Sequence, residues 1–106
     1  MSNIEVIKLC EFGKSVGTRE LGAQIRERIL PIIKNGDQVL IDFSSISIIS
    51  SAFADELFGK LFAELGETNF KDHIKVNRFD NDETKKLILL IINKSISFRK
   101  NNLSSK

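Results

Sequence analysis

Three short segments of the chain carry the residue pattern of β-strands. Residues 4–9 mix Ile and Val with charged residues, and residues 73–79 have a similar character. Residues 39–43 are rich in β-branched residues and almost continuously apolar, which is typical of a buried central strand in a parallel sheet. The pattern therefore predicts three strands, the second of them buried.

The segment between the first two strands has the spacing of a helix. Thr18 is placed to cap its start. Its apolar residues recur at helical intervals: Leu21, Ile25, Ile29, Ile32 and Ile33. Pro31 lacks a backbone donor and predicts a kink or an early end, whereas the pair Asn35-Gly36 predicts the stop.

The most regular helical pattern follows the second strand and opens at Ser50-Ser51. One wide apolar stripe runs along it: Phe53, Ala54, Leu57, Phe58, Leu61, Phe62 and Leu65. Gly66 is expected to terminate this helix. Gly59 lies inside it at a cost of up to about 1 kcal/mol relative to alanine. A close approach of another backbone would explain why glycine is there.

A third helix is predicted after the last strand, over residues 84–98. Asp80 is its expected N-cap, with Glu83 completing a capping-box-like pair. The apolar run over residues 87–92 alone fits either a helix or a strand, and the cap and the length of the segment favour a helix. Residues 99–106 are polar and predict a flexible tail.

Strands and helices alternate along the chain. This order indicates an α/β protein with helices packed against a small, mostly parallel or mixed β-sheet. A length of 106 residues fits one compact domain, which we assign to residues 1–98. An exposed edge strand of such a sheet would offer a surface for homodimerisation.

Composition restricts the classes of function without selecting one. The formal net charge of +2 is too small to predict a nucleic-acid-binding protein. The cations near the C-terminus are interpreted as a solubilising end: Lys94, Arg99, Lys100 and Lys106. One cysteine and one histidine, Cys10 and His73, allow neither an intramolecular disulfide nor a zinc site.

The apolar runs are also too short for a membrane-spanning helix. The longest covers residues 87–92, far below the ~20 residues that a bilayer requires. Glu5 and Lys8 interrupt the apolar core that a signal peptide would need. We therefore expect a cytoplasmic protein without a membrane partner.

No constellation of residues predicts catalysis. Gly13-Lys14-Ser15 matches the end of a phosphate-binding loop, but Lys8 stands where that motif needs its first glycine. The sequence shows no metal-ligand set and no nucleophile with an oriented base. We therefore expect a protein that is not an enzyme and that uses no cofactor or metal.

Two segments, residues 39–44 (VLIDFS) and residues 48–57 (IISSAFADEL), resemble a known family. They are similar to the STAS family, the anti-sigma factor antagonist and sulfate-transporter domain. The resemblance is closer to the STAS-like group of small bacterial proteins, described as a domain of unknown function. Further residues fit that group: Gly13, Ser15, Arg19, Gly22 and Ile25. The resemblance covers residues 10–98 and implies a STAS-like fold.

In anti-sigma factor antagonists the start of this helix reads Asp-Ser-Ser-Gly, and a partner kinase phosphorylates the second serine. The phosphate ends binding to that same partner, an anti-sigma factor with a histidine-kinase-like ATPase fold. In an alignment through the strand and the helix, Ser50 takes the Asp position, Ser51 the first serine and Ala52 the phosphoacceptor. Because Ala52 cannot be phosphorylated, Ser51 is either a substitute phosphoacceptor or a plain N-cap.

The resemblance implies a non-catalytic regulatory module that binds a protein, with a histidine-kinase-like ATPase as the implied partner. The contact surface is expected at the loop and the helix start, on these candidate residues: Ser44, Ser50, Ser51, Asp55 and Glu56. The acidic pair Asp55-Glu56 is interpreted either as a solvated helix face or as a patch for a basic partner.

A second hypothesis is a sensor that binds a small anion or a nucleotide at helix N-termini. Its candidate residues are Ser15, Thr18 and Arg19, in a segment expected to face Ser50-Ser51. Nucleic acid is not expected as a partner.

Overall fold

The computed structural model describes residues 3–13 and 16–104, with the backbone alone of residues 102–104. Its strands are β1 (Ile4–Lys8), β2 (Gln38–Asp42) and β3 (Ile74–Asn77). Its helices are α1 (Arg19–Lys34), α2 (residues 51–65), α3 (Glu67–His73) and α4 (Asp82–Ser104), and a 3₁₀ turn over Leu9–Phe12 follows β1. The expected α/β class is confirmed.

The strands form one parallel sheet in the order β1-β2-β3. Ile7, Val39 and Ile41 point to the covered face and are buried, whereas Ile4 and Val6 lie on the opposite face and are exposed. Because parallel strands all end at one edge, the segments that lead into α1, α2 and α4 leave the sheet at that edge. β1 and β3 are the edge strands, and dimerisation through either of them stays a prediction.

Stacked phenylalanines fill the core beneath the end of β2. Phe43 is fully buried and stacks on Phe79, with ring centroids 4.9 Å apart, and on Phe58 at 6.4 Å. Offset stacking of this kind stabilises beyond the buried area alone. The three rings come from the ends of β2 and β3 and from α2, so they tie the sheet to that helix.

α1 begins as predicted, because the Thr18 hydroxyl oxygen accepts a hydrogen bond from the Leu21 amide at 3.1 Å. Pro31 does not end the helix, which continues to Lys34. The helix continues because proline removes only one backbone donor, and because Pro31 lies on the exposed side of the helix. The stop lies at Asn35-Gly36, where Gly36 adopts a φ of 88° that favours glycine.

α2 ends as predicted at Gly66, whose φ is 85°. A short helix then follows, α3, which the polar sequence of residues 67–73 did not predict. Phe70 is the one large apolar residue of this helix, and its ring meets Phe62 edge-on at 5.7 Å. This ring pair, the ion pair between Glu67 and Lys100 at 3.1 Å and the hydrogen bond from Gln38 Nε2 to the Asp72 carbonyl at 3.2 Å support a helix that lacks an apolar stripe of its own.

α4 starts one residue later than its predicted cap implies. Asn81, not Asp80, caps the helix, since its side-chain oxygen accepts from the Thr84 amide at 2.8 Å. The Asp80 carboxylate instead accepts from the Ser45 amide at 3.0 Å. The helix continues to Ser104, through the residues for which a polar tail was predicted. None of the helices in the described part of the chain is both long and apolar enough to cross a membrane.

The aromatic stack gives the first testable prediction. Replacing Phe43 by alanine should lower the free energy of unfolding by about 3–5 kcal/mol, because it leaves a cavity between two rings. Phe98→Ala is the matched control, since Phe98 is 59 % exposed and should change stability by less than about 1 kcal/mol. Urea denaturation of both variants measures the difference, and equal losses would contradict the assigned packing.

Candidate functional site

The start of α2 is fastened to the segment that precedes α1. Ser50 is the N-cap: its hydroxyl oxygen accepts from the Phe53 amide at 3.0 Å and its hydroxyl donates to the Gly17 carbonyl at 2.8 Å. The Ser50 amide donates to the Val16 carbonyl at 3.3 Å. The interpretation of Ser51 as the N-cap is therefore wrong by one residue. The expected approach of the segment before α1 to Ser50-Ser51 is confirmed.

Ser51 and Ala52 form the first turn of α2. Ser51 is exposed and Ala52 is half-buried. The Ser50 hydroxyl is occupied on both sides by backbone groups, whereas Ser51 faces the surface. Of the two serines, Ser51 is thus the one that another macromolecule can reach.

A π-helical turn interrupts α2 directly after this first turn. Residues Ser51–Ala54 are α-helical, Asp55–Gly59 form the π turn, and Lys60–Leu65 are α-helical again. Such turns are rare inside α-helices and frequently lie at functional sites. Here the turn contains both acidic residues, Asp55 and Glu56.

The Asp55 carboxylate is held by α4. Arg99 donates from Nε to Oδ1 at 2.9 Å and from Nη2 to Oδ2 at 2.8 Å, which is a bidentate pair. The hydrogen bonds from Arg99 lower the pKa of Asp55 further than burial raises it. The hydrogen bond to Asp55 in turn raises the pKa of Arg99. The pair joins residues on two different helices.

The Glu56 carboxylate is held by α1 and by its own helix. Its Oε2 accepts from Lys60 Nζ at 2.8 Å and from Arg26 Nη1 at 2.8 Å. Arg26 Nη1 also donates to the backbone oxygen of Glu56. The hydrogen bonds from Lys60 and Arg26 lower the pKa of this buried carboxyl to about 2. Glu56 is therefore ionised throughout the physiological range.

Arg19 is the fourth cation of this cluster and is more loosely held. Its Nη1 lies 3.4 Å from Asp55 Oδ2 and 3.4 Å from Glu56 Oε1. The side chain is 56 % exposed, far more than that of Arg26 or Arg99. Arg19 therefore borders the surface, while Arg26 and Arg99 belong to the interior of the cluster.

The acidic pair is thus neither a solvated helix face nor an open acidic patch. Two carboxylates, Asp55 and Glu56, meet four cations: Arg19, Arg26, Lys60 and Arg99. We name these six residues the ion cluster. Both acidic side chains are at most 19 % exposed, because the neighbouring helices cover them. Their charge is neutralised within the molecule.

Two glycines make room for the ion cluster. A Cβ atom on Gly22 would lie 3.0 Å from Glu56 Cβ and 3.0 Å from the Phe53 carbonyl oxygen, so α1 and α2 touch there. A Cβ atom on Gly59 would lie 2.7 Å from Asp55 Oδ1 and 3.3 Å from Arg99 Cγ. Gly59 was expected to admit another backbone, but it admits the Asp55–Arg99 side-chain pair instead.

A groove opens on the surface beside the ion cluster. It lies between the starts of α1 and α2 and the second half of α4, and its volume is about 320 Å³. We call it the α2 groove. Its lining combines cations, hydroxyls, one carboxylate and apolar side chains: Arg19, Ser51, Ala52, Asp55, Ile91, Lys94, Ser95 and Phe98. The predicted site residues Ser51, Asp55 and Arg19 are therefore brought together.

Ser44 belongs to a different cluster, at the carboxyl end of β2. The Ser44 amide donates to Asp42 Oδ1 at 2.8 Å, its hydroxyl donates to the same oxygen, and Arg78 Nη1 donates to Oδ2 at 3.2 Å. Burial raises the pKa of Asp42, but the bonds from Ser44 and Arg78 outweigh it and lower that pKa. Ser44 does not line the α2 groove, and its hydroxyl is used in ending the strand.

The residues predicted to bind an anion are divided as well. Thr18 caps α1 and is exposed, and Arg19 lines the α2 groove. Ser15 lies outside the described residues. Of the two residues of that set that the structure describes, Arg19 is therefore the one at a concave surface.

Sequence reasoning missed most of the partners of the two acids. Lys60 stands four residues after Glu56, and that spacing was a visible signal for a helical ion pair. Arg26 and Arg99 lie 30 and 44 residues from their acidic partners, so no local pattern could reveal them. Lys94 and Phe98 were seen only as part of the last helix and of its basic end.

The effect of replacing Gly59 by alanine on the free energy of unfolding should depend on whether Asp55 is present. Gly59→Ala should lower the free energy of unfolding by about 1–2 kcal/mol, because the new methyl group meets the fixed Asp55 carboxylate. In an Asp55→Ala background the same change should be neutral or stabilising by up to about 1 kcal/mol, the ordinary preference of a helix for alanine. Urea denaturation of the four chains tests this. Equal effects in both backgrounds would contradict the assigned contact.

Glu56 gives a prediction about pH. Its folded-state pKa is depressed from 4.5 to about 2, so its contribution to stability is complete above about pH 5 and is lost as the pH falls towards 2. Glu56→Gln should therefore cost on the order of 2 kcal/mol at pH 7, and this difference from the wild type should vanish near pH 2. Urea midpoints across this range measure it, with the exposed Glu64→Gln on the same helix as the control. A difference that does not depend on pH would contradict the pairing of Glu56.

Comparison with known proteins agrees with this fold. A family model described as a STAS-like domain of unknown function matches residues 22–84, more than half of the chain. The match includes Arg26, Asp55, Glu56 and Lys60, and it leaves Arg19 and Arg99 outside. No curated protein and no solved structure matches the chain significantly. The chain belongs to the family of STAS-like domains of unknown function.

Proposed function

We propose that this protein is a non-catalytic regulatory module that binds another protein through the α2 groove. Membership of the STAS-like family and the resemblance to anti-sigma factor antagonists support a regulatory role. The observation that carries the proposal is the composition of the groove. It combines an exposed aromatic ring, Phe98, with the accessible first turn of α2.

The aromatic ring supports a binding role on energetic grounds. Phe98 is 59 % exposed on α4, and the half-buried Ile91 lies seven residues before it, about two helical turns, on the same wall of the groove. Exposed apolar side chains rimmed by polar ones are typical of interaction sites. An aromatic side chain that becomes buried on binding often dominates the affinity.

The position of the groove agrees with the family resemblance. Ala52, which aligns with the phosphoacceptor of anti-sigma factor antagonists, lines the groove together with Ser51. The same end of the helix that those proteins present to a partner is therefore accessible in this chain. We propose that the partner carries a histidine-kinase-like ATPase domain, as the resemblance implies.

A regulatory phosphate would have to be carried by Ser51. The Ser50 hydroxyl is fully hydrogen-bonded within the fold, whereas Ser51 is exposed. Asp55 lies one turn further along, but Arg99 and Arg19 neutralise it, so its repulsion of a phosphate is reduced. Modification of Ser51 is thus compatible with the electrostatics of the groove.

A second candidate function is the sensing of a small anion. The segment before α1 meets the start of α2 at the Ser50–Gly17 hydrogen bond, and the half-exposed Arg19 lies at the same place. Helix N-termini with an adjacent arginine are favourable for anions. On this alternative the groove binds phosphate or a nucleotide instead of a protein.

Capture from cell extract tests the main proposal. Immobilised protein is incubated with an extract of the native host, and bound proteins are identified by mass spectrometry that also scores phosphoserine. A partner retained by the wild type should be lost with Phe98→Ser, because the variant removes the aromatic contact. It should be retained with Leu90→Ser, since Leu90 is 53 % exposed on the same helix but does not line the groove.

The outcomes separate the two functions. A captured protein with a histidine-kinase-like ATPase domain and sensitivity to Phe98→Ser supports the full proposal. A rise in the thermal midpoint with inorganic phosphate or ATP, abolished by Arg19→Gln, together with no Phe98-sensitive protein, would favour the anion sensor instead.

A further inference from the structure

We infer that the partner segment seated in the α2 groove is acidic and carries a bulky apolar side chain. The inference rests on the proposed function and names the chemistry of the partner. It is the opposite of the sequence-based alternative in which Asp55 and Glu56 form a patch for a basic partner.

Cations outnumber carboxylates at the groove and in the ion cluster beside it. The ion cluster contains two carboxylates and four cations, so two positive charges remain uncompensated within it. Lys94 adds a third on the groove wall, is exposed, and pairs with no carboxylate among the described residues. Asp55 is the one carboxylate in the lining. The groove is therefore electropositive although Asp55 is part of its lining.

The cations of the ion cluster differ in how accessible they are to a partner. Both Asp55 oxygens accept from Arg99 at 2.9 and 2.8 Å, and Glu56 is held by Arg26 and Lys60 at 2.8 Å. Arg19 contacts the same acids only at 3.4 Å and is more than half exposed. The acids keep their stronger partners when Arg19 turns away. Arg19 is thus the cation that an incoming carboxylate can engage.

The lining of the groove is also partly apolar. Ile91, Phe98 and the methyl group of Ala52 line it together with the cations Arg19 and Lys94. Apolar surface bordered by cations fits a segment in which a large aliphatic or aromatic side chain has Asp or Glu as neighbours. Such a segment gains apolar contact and charge complementarity at once.

A basic partner is disfavoured by the same contacts. It would meet Arg19 and Lys94 at the rim, and Asp55 has no oxygen left without a strong donor. An anionic membrane shares the charge preference, but the apolar side chains line a concave surface, which a flat bilayer fits poorly. A peptide segment is therefore the occupant that the groove favours.

A displayed library of random peptides, selected on the purified full-length protein, tests the inference. The enriched peptides should contain Asp or Glu within a few residues of Leu, Ile or Phe. Synthetic copies should bind on the order of tenfold more weakly to Lys94→Glu and to Arg19→Gln/Lys94→Gln, and their affinity should fall as salt rises. Lys85→Glu is the matched control, because it makes the same change in net charge on the same helix away from the groove.

Several results would overturn the inference. Enrichment of basic peptides, no enriched peptide at all, equal affinity for the Lys94→Glu variant and its control, or binding to anionic phosphatidylserine vesicles but not to peptides would each do so. The protein captured from cell extract distinguishes a failure of this inference from a failure of the proposed function. A Phe98-sensitive partner that binds Lys94→Glu more tightly than wild type leaves the interaction module standing and removes the acidic partner.

Discussion

The structure depends on placing two adjacent carboxylates, Asp55 and Glu56, inside a contact between helices. Desolvating them would be unfavourable if they were unpaired, so each is met by strong donors: Arg99 from α4 for Asp55, and Arg26 from α1 together with Lys60 for Glu56. The apolar stripe of α2 lies in the hydrophobic core, and the ion cluster adds polar contacts from α1 and α4 to the same helix. Gly22 and Gly59 exist at their positions because these contacts leave no room for a larger side chain.

Much of this fold could be predicted from the sequence, because the relevant signals are local. The caps at Thr18, Gly36 and Gly66 and the apolar stripe of α2 each lie within a few residues of what they determine. α3 was missed since its support comes from tertiary contacts with residues distant in sequence, such as the Glu67–Lys100 ion pair, and with Phe62 of the preceding helix. Pattern reasoning therefore gave the order of strands and of the long helices, and it failed where distant residues decide the local conformation.

The position of the candidate site could be predicted from the sequence, but its ion pairs and the exposure of its residues could not. The resemblance pointed to the start of α2, and the surface groove is there. The sequence left Asp55-Glu56 as either a solvated helix face or an acidic patch. The fold shows neither, because two strong partners of these acids, Arg26 and Arg99, come from other helices. The sequence shows which residues are charged, but it does not show which of them form ion pairs in the fold. For the same reason, the sequence does not distinguish Ser50 from Ser51. In the fold the Ser50 hydroxyl is hydrogen-bonded as the N-cap of α2, whereas Ser51 is exposed.

The order of the strands has a consequence for how the chain folds. Each strand pairs with the next one along the chain, so the sheet can grow step by step as a polypeptide emerges from the ribosome. The Asp55–Arg99 bond is different, because it spans 44 residues and needs the last helix. Until synthesis reaches that point, Asp55 lacks its bidentate partner and the apolar flank of α2 that α4 covers stays open to solvent. The side of α2 that carries Asp55 is thus covered only after all three strands have been made, when α4 packs against it.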